Sequence, residues 1–96
     1  MDLQSFKESV TEAIPPNNLQ PLLLALWHDA KGDWNTAHDI ADGPPGKEAA
    51  WVHAYLHRKE GDDWNANYWY RRAGRKMPAC SLEEEWEMLV NHFVKK

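Results

Sequence analysis

The sequence contains the stretch His28-Asp29-Ala30-Lys31-Gly32-Asp33-Trp34-Asn35, which is echoed about thirty positions later by His57-Arg58-Lys59-Glu60-Gly61-Asp62-Asp63-Trp64-Asn65. In both copies a glycine is followed directly by an aspartate. Glycine commonly ends a helix because it adopts the left-handed conformation easily, and aspartate commonly caps the start of the next helix. We therefore interpret each copy as the corner between two helices.

The similarity between the two copies extends beyond the corner itself. A shift of 29 positions pairs Ala25 with Ala54, His28 with His57, Gly32 with Gly61, Asp33 with Asp62, and Ala37 with Ala66. This pattern predicts a helical hairpin that is present twice, over about 19–43 and 46–75. Hairpins of this kind stack on each other because one hairpin cannot bury its apolar face alone.

An amphipathic helix is predicted on each side of the two hairpins, over about 3–14 and 81–95. Both segments place apolar residues at helical spacing. Ser81-Leu82-Glu83-Glu84 has the capping-box pattern of a helix start, and Gly43-Pro44-Pro45-Gly46 is the clearest break between helices. No stretch alternates as a strand would. The sequence therefore predicts one all-α domain over residues 1–96 with about six helices.

Two motifs resemble known helical repeats. The Gly-Asp pairs that precede Ala37 and Ala66 are similar to the start of the second helix in tetratricopeptide repeats. The run Ala66-Asn67-Tyr68-Trp69-Tyr70-Arg71-Arg72-Ala73-Gly74 is similar to the Sel1-type variant. The run Leu26-Trp27-His28-Asp29-Ala30-Lys31-Gly32-Asp33-Trp34, together with residues 68–74, also resembles a group of short, mostly bacterial proteins of unassigned function. The resemblance implies tetratricopeptide-like hairpins and transfers no activity.

Composition narrows the classes of function. The net charge of −4 argues against a general nucleic-acid binder. Residues 1–45 carry two bases and seven acids, a net −5, whereas residues 46–76 carry seven bases and four acids, a net +3. The single cysteine, Cys80, excludes an intramolecular disulfide. The most apolar run, residues 22–27, is too short to span a bilayer and no leader pattern is present, so we expect a cytoplasmic protein with no membrane association.

The histidines are the first candidate functional residues. His28 and His57 lie beside Ala25 and Ala54, small residues that allow close helix approach, so we expect both imidazoles at helix–helix contacts. His53 and His57 are four residues apart, a spacing that can bind a metal. A third ligand would have to come from His28, His38 or an acid such as Asp29. On this basis we predict no metal site, no cofactor and no catalytic residue.

The predicted fifth helix carries a second set of candidates. Trp64, Tyr68, Arg71 and Arg72 lie opposite its predicted core stripe, and protein interfaces are enriched in aromatic and arginine side chains. The structural alternative is that the arginines complement the helix dipole while Trp64 and Tyr68 pack on the neighbouring hairpin.

The function predicted from the sequence is a non-enzymatic interaction module that binds an acidic peptide or partner surface. Its binding residues would be His28, His53 and His57 on helices two and four, with Trp64, Tyr68, Arg71 and Arg72 on helix five. The alternative is a protein that binds a small molecule or a metal through a histidine cluster. Self-association through an apolar face of an end helix is a third possibility.

Overall fold

The computed structural model describes residues 1–95 of the chain and contains six helices in that range. These are α1 (Leu3–Ser9), α2 (Pro21–Ala30), α3 (Trp34–Ala41), α4 (Lys47–Lys59), α5 (Asp63–Arg72) and α6 (Leu82–Val94). No strand occurs among the described residues. The prediction of an all-α fold with about six helices is confirmed.

The chain folds as two helical hairpins that are closed by its first and last helices. Helix α2 packs on α3, α4 packs on α5, and α3 contacts α4 to join the two hairpins. Helix α6 packs against α1, α2 and α4. The core between these helices is rich in small and aromatic side chains, including Ala25, Ala54 and Trp86. Small residues allow the helix axes to approach, and the large aromatic rings fill the remaining volume.

The two corners have the same backbone geometry. Gly32 and Gly61 have φ angles of +87° and +84°, and the N–H of each following aspartate donates to the carbonyl five residues earlier, at 2.9 and 3.0 Å. The side chains of Asp33 and Asp62 then accept from the third backbone N–H of the next helix. These are a Schellman ending followed directly by an N-cap, so both corners follow from their Gly-Asp sequence.

The first helix is shorter than the sequence predicts. We expected it over about 3–14, but it ends at Ser9. The indole N–H of Trp27 donates to the Ser9 carbonyl, and the Lys31 ammonium donates to the carbonyls of Val10 and Glu12. Trp27 belongs to α2 and Lys31 is its C-cap. Because their side chains bind the carbonyls of residues 9–12, those carbonyls are satisfied without a longer α1, and the helix ends at Ser9.

Candidate functional site

Three imidazoles meet between helices α3, α4 and α5. His38 comes from α3, and His53 and His57 come from successive turns of α4. One ring nitrogen from each lies within 4.8 Å of the other two. The rings of His53 and His57 are stacked at 4.9 Å, and the His38 ring stands nearly perpendicular to both, at 4.5 and 5.2 Å. We call these three residues the histidine cluster.

Each ring of the histidine cluster is held by a neighbour. Trp34 stacks on His38 with centroids 4.8 Å apart, and Trp69 stacks on His53 at 3.9 Å with planes 10° apart. Glu60 lies one turn after His57, and its carboxylate is 2.8 Å from Nδ1 of that ring. The indole N–H of Trp34 donates to the Leu56 carbonyl, which fixes the tryptophan itself. The rotamers of the cluster are therefore restricted before any ligand binds.

The cluster is largely shielded from water, and this affects its protonation. His53 is only 4% exposed. Burial and, to a smaller extent, the nearby His38 and His57 rings lower the pKa of His53 to about 4, while Asp42 opposes them. Nδ1 of His53 is 3.8 Å from an Asp42 carboxylate oxygen, which is too far for a hydrogen bond. At neutral pH His53 is therefore an uncharged imidazole.

One member of the cluster, His53, lines a cavity of about 370 Å³. The α3–α4 loop, the first turns of α4 and one face of α5 line this cavity, and His53 and Trp69 form part of its wall. Lys47 and Arg72 bring positive charge to the lining and Asp42 brings negative charge. Gly46 is the N-cap of helix α4 and has no side chain to cap it, so the backbone N–H groups of the first turn lie beside this cavity without a capping side chain.

His28 does not belong to the cluster, although it is the repeat partner of His57. It is half-buried at the end of α2, where its ring meets Trp27 edge-on at 5.2 Å. The binding residues predicted from the sequence include His28, His53 and His57. In the structure His53 and His57 lie together, and the third ring beside them is that of His38. From the sequence alone, His38 is only one of three possible third ligands. Its distance from His53 and His57 depends on how α3 packs against α4, which no local pattern specifies.

The outer face of α5 exposes two aromatic rings among cations. Trp64 is 75% exposed and Tyr68 is 37% exposed, and their rings are parallel with centroids 6.4 Å apart. Arg72 donates to the Tyr68 hydroxyl at 3.0 Å and lies over the rings of Tyr68 and Trp69. Arg71 is exposed beside them. We call Trp64, Tyr68, Arg71 and Arg72 the α5 face.

Unpaired cations surround the α5 face. Within residues 1–95, no ion pair joins an acidic side chain to any of five cations: Lys47, Arg71, Arg72, Arg75 and Lys76. Arg75 instead lies 3.5 Å from the centroid of the Trp51 ring. The ammonium of Lys47, the first residue of α4, lies close to Gly74, just after the end of α5. This end of the molecule therefore presents positive charge that the described residues leave uncompensated.

A buried acidic residue, which the sequence pattern did not reveal, organises the opposite side of α4. Glu85 is 1% exposed and accepts from Trp51 at 3.1 Å, from Arg58 at 2.8 Å and from the Tyr70 hydroxyl at 2.7 Å. Burial and the bond to Glu85 raise the pKa of Tyr70. No fully buried polar atom of this Glu85 cluster lacks a protein partner.

Asp29 is a second buried carboxylate with a similar role. It accepts from the Tyr55 hydroxyl at 2.8 Å and from the Lys59 ammonium at 2.9 Å, which ties α2 to α4. Burial and the negative charge of Asp29 raise the pKa of Tyr55. Asp29 was considered as a metal ligand from the sequence, but its oxygens are used in these bonds.

The chain was compared with known protein families, curated proteins and solved structures. No family model, curated protein or solved structure matches the chain. Over residues 1–95, no helix is both long and apolar enough to cross a membrane.

Proposed function

We propose that this chain is a non-enzymatic, cytoplasmic interaction module of the tetratricopeptide or Sel1-like kind, and that it binds an acidic peptide segment of a partner protein. The peptide would lie across the α5 face, and one of its carboxylates would enter the cavity at the start of α4. The observation that carries the proposal is Trp64, a tryptophan left 75% exposed on the same helix as Arg71 and Arg72, which have no acidic partner within residues 1–95.

The exposed Trp64 side chain favours this face as the binding surface. A tryptophan side chain can bury about 150–250 Å² of surface, so leaving one in water forgoes a large hydrophobic gain. Interface hot spots are enriched in tryptophan, tyrosine and arginine. The contact between Arg72 and Tyr68 holds both side chains in a defined arrangement before a partner arrives, which lowers the entropy cost of binding.

Charge supports the choice of an acidic occupant. Arg72 and Lys47 reach the cavity from α5 and α4, and the uncapped N-terminus of α4 adds backbone donors with a favourable dipole. Arginine binds carboxylates through two parallel hydrogen bonds when its guanidinium is accessible. A basic or neutral peptide would leave these cations uncompensated.

The experiment measures binding to two matched sets of immobilised synthetic peptides. One set alternates Asp or Glu with Leu or Phe, and the other replaces each acid by Asn or Gln. We expect binding to the acidic set alone, weakened by added salt because exposed charges are screened. The double variant Arg71→Ala/Arg72→Ala and the single variant Trp64→Ala should each weaken binding at least about tenfold, the effect of losing roughly 1.4 kcal/mol.

A charge-matched control separates a specific site from a general charge effect. Lys7→Gln/Lys95→Gln removes two exposed positive charges from α1 and from the end of α6, and it should leave binding unchanged. Equal binding to both peptide sets, or unaltered binding by the arginine double variant, would refute the proposal. Sedimentation of the chain alone covers the remaining case: concentration-dependent dimers that the arginine variant abolishes would show that a second copy occupies this face.

A further inference from the structure

The histidine cluster has the composition of a metal site. Neutral imidazole nitrogens bind Zn²⁺ and related first-row divalent ions. Helix α4 would supply two ligands, His53 and His57, and helix α3 would supply the third, His38. A tetrahedral ion with these three ligands has a fourth position open. We propose that His38, His53 and His57 bind one Zn²⁺ ion, with the fourth position open to water from the adjoining cavity.

The distances between the rings are compatible with this assignment. The ligand nitrogens lie within 4.8 Å of one another. A tetrahedral zinc site with bonds of about 2.0–2.1 Å needs nitrogens roughly 3.3 Å apart. Zinc binding therefore requires the three side chains to rotate until their nitrogens lie up to about 1.5 Å closer together. His53 and His57 belong to the same helix, and His38 reaches them from the helix packed alongside.

A carboxylate prepares His57 as a ligand. Glu60 can only accept a hydrogen bond when it is ionised, so the 2.8 Å contact places the proton of a neutral His57 ring on Nδ1. Nε2 then carries the free lone pair. Metal-binding histidines commonly donate their other ring N–H to a carboxylate in this way, which orients the ring and increases its basicity.

The nitrogens of the other two rings form no hydrogen bond within residues 1–95. Among residues 1–95, neither His38 nor His53 forms a hydrogen bond from its ring, although Trp34 and Trp69 fix the ring planes. No fully buried nitrogen is left without a partner, so the unbonded ring nitrogens of these two residues face accessible space. Rings that are held in place while their nitrogens remain open are arranged to receive a ligand.

A competing set of ligands shares His57. Glu60 and Asp62 also come close to this histidine, but Asp62 already caps α5 through the Asn65 backbone N–H and side chain. Binding there would remove the contact that orients His57 and compete with the helix cap. The three-histidine site keeps both interactions, and substitution of His38 distinguishes the two sets.

The test is a zinc titration of the untagged, metal-free protein in competition with a chromophoric chelator. We expect one Zn²⁺ per chain. His38→Ala and His57→Ala should each lower the affinity at least about 100-fold, beyond the roughly 10–100-fold that loss of an outer-shell partner costs. Glu60→Gln should produce that smaller loss. His28→Ala, the repeat equivalent of His57 outside the cluster, should leave the affinity unchanged.

Circular dichroism of each metal-free variant verifies that it is folded. Glu60→Gln alters no buried side chain, so it keeps the test valid if a histidine variant unfolds. Absence of stoichiometric zinc, unaltered affinity in His38→Ala, or an equal loss in His28→Ala would overturn the proposal. Zinc binding does not require the α5 face, so Arg71→Ala/Arg72→Ala should retain it, and this site and the peptide site can fail independently.

Discussion

Two of the polar clusters inside this chain lie around Glu85 and around His53. Both are buried, and both join α4 to its neighbours. Around Glu85, indole, guanidinium and phenol donors converge on a carboxylate, which therefore has all its partners within the protein. Around His53, three imidazoles face one another, and only His57 has a hydrogen bond from its ring.

The difference shows how buried polarity can be separated into structure and function. Burying a polar group costs free energy unless a partner compensates for it. The Glu85 cluster meets that condition with protein atoms, so its role is complete in the folded chain. The histidine cluster meets that condition only partly: His38 and His53 are stacked on tryptophans, and their ring nitrogens form no hydrogen bond within residues 1–95.

The largest predicted effect is the loss of the buried carboxylate. Glu85→Ala removes the acceptor of three donors and leaves the Arg58 charge without its partner. We expect the free energy of unfolding to fall by about 3–5 kcal/mol, measured by urea denaturation. Glu83→Ala, on the exposed side of the same helical turn, should change it by less than about 0.5 kcal/mol. A loss below 1 kcal/mol in Glu85→Ala would remove the distinction between the two clusters.

The next effect is a pH dependence that belongs to the histidine cluster. The pKa of His53 is about 4 in the folded protein against 6.5 in the unfolded chain, so the unfolded chain takes up the proton first as the pH falls. Stability is complete above pH 6.5 and decreases towards pH 4, by on the order of 3 kcal/mol. His53→Phe keeps a ring against Trp69 and should remove this slope.

Urea denaturation of both proteins with EDTA, at intervals between pH 7 and pH 4, measures that difference. The capping aspartates Asp2, Asp33 and Asp62 have lowered pKa values as well, but their contributions are lost mainly below pH 4 and are common to both proteins. Parallel stability curves for the wild type and His53→Phe would contradict the assignment.

The smallest effect is expected for His38 in the metal-free protein. His38→Ala leaves no donor or acceptor without a partner, because the ring has no hydrogen bond among the described residues. It loses the stacking on Trp34, worth about 0.5–1.5 kcal/mol. Chemical denaturation with EDTA should therefore show a change far smaller than that of Glu85→Ala. A loss as large as 3 kcal/mol would indicate that His38 is a structural residue.

The sequence predicts the helices well because their boundaries are local. The Gly-Asp corners and the capping box at Ser81 specify their own backbone conformations, and the structure shows each of them. The predicted end of α1 was wrong because it depends on residues about twenty positions away: Trp27 and Lys31 donate hydrogen bonds to the carbonyls of Ser9 and Val10.

The two buried clusters depend on contacts that no local pattern contains. Glu85 occurs in a run of three glutamates that suggests a solvated helix face, and only the packing of α6 against α4 brings Arg58 to it. The spacing of His53 and His57 indicates a pair of ligands. Which of His28, His38 and Asp29 lies beside this pair depends on how the helices pack, and the structure places His38 there.

The most direct test of the difference between the clusters is a long-range ¹H–¹⁵N NMR spectrum of the five imidazole rings, recorded while Zn²⁺ is added to the metal-free protein. We predict that the ring signals of His38, His53 and His57 change together and stop changing at one equivalent, whereas those of His28 and His92 stay in place. Unchanged signals from the three cluster rings, or changes confined to His28 and His92, would contradict the account.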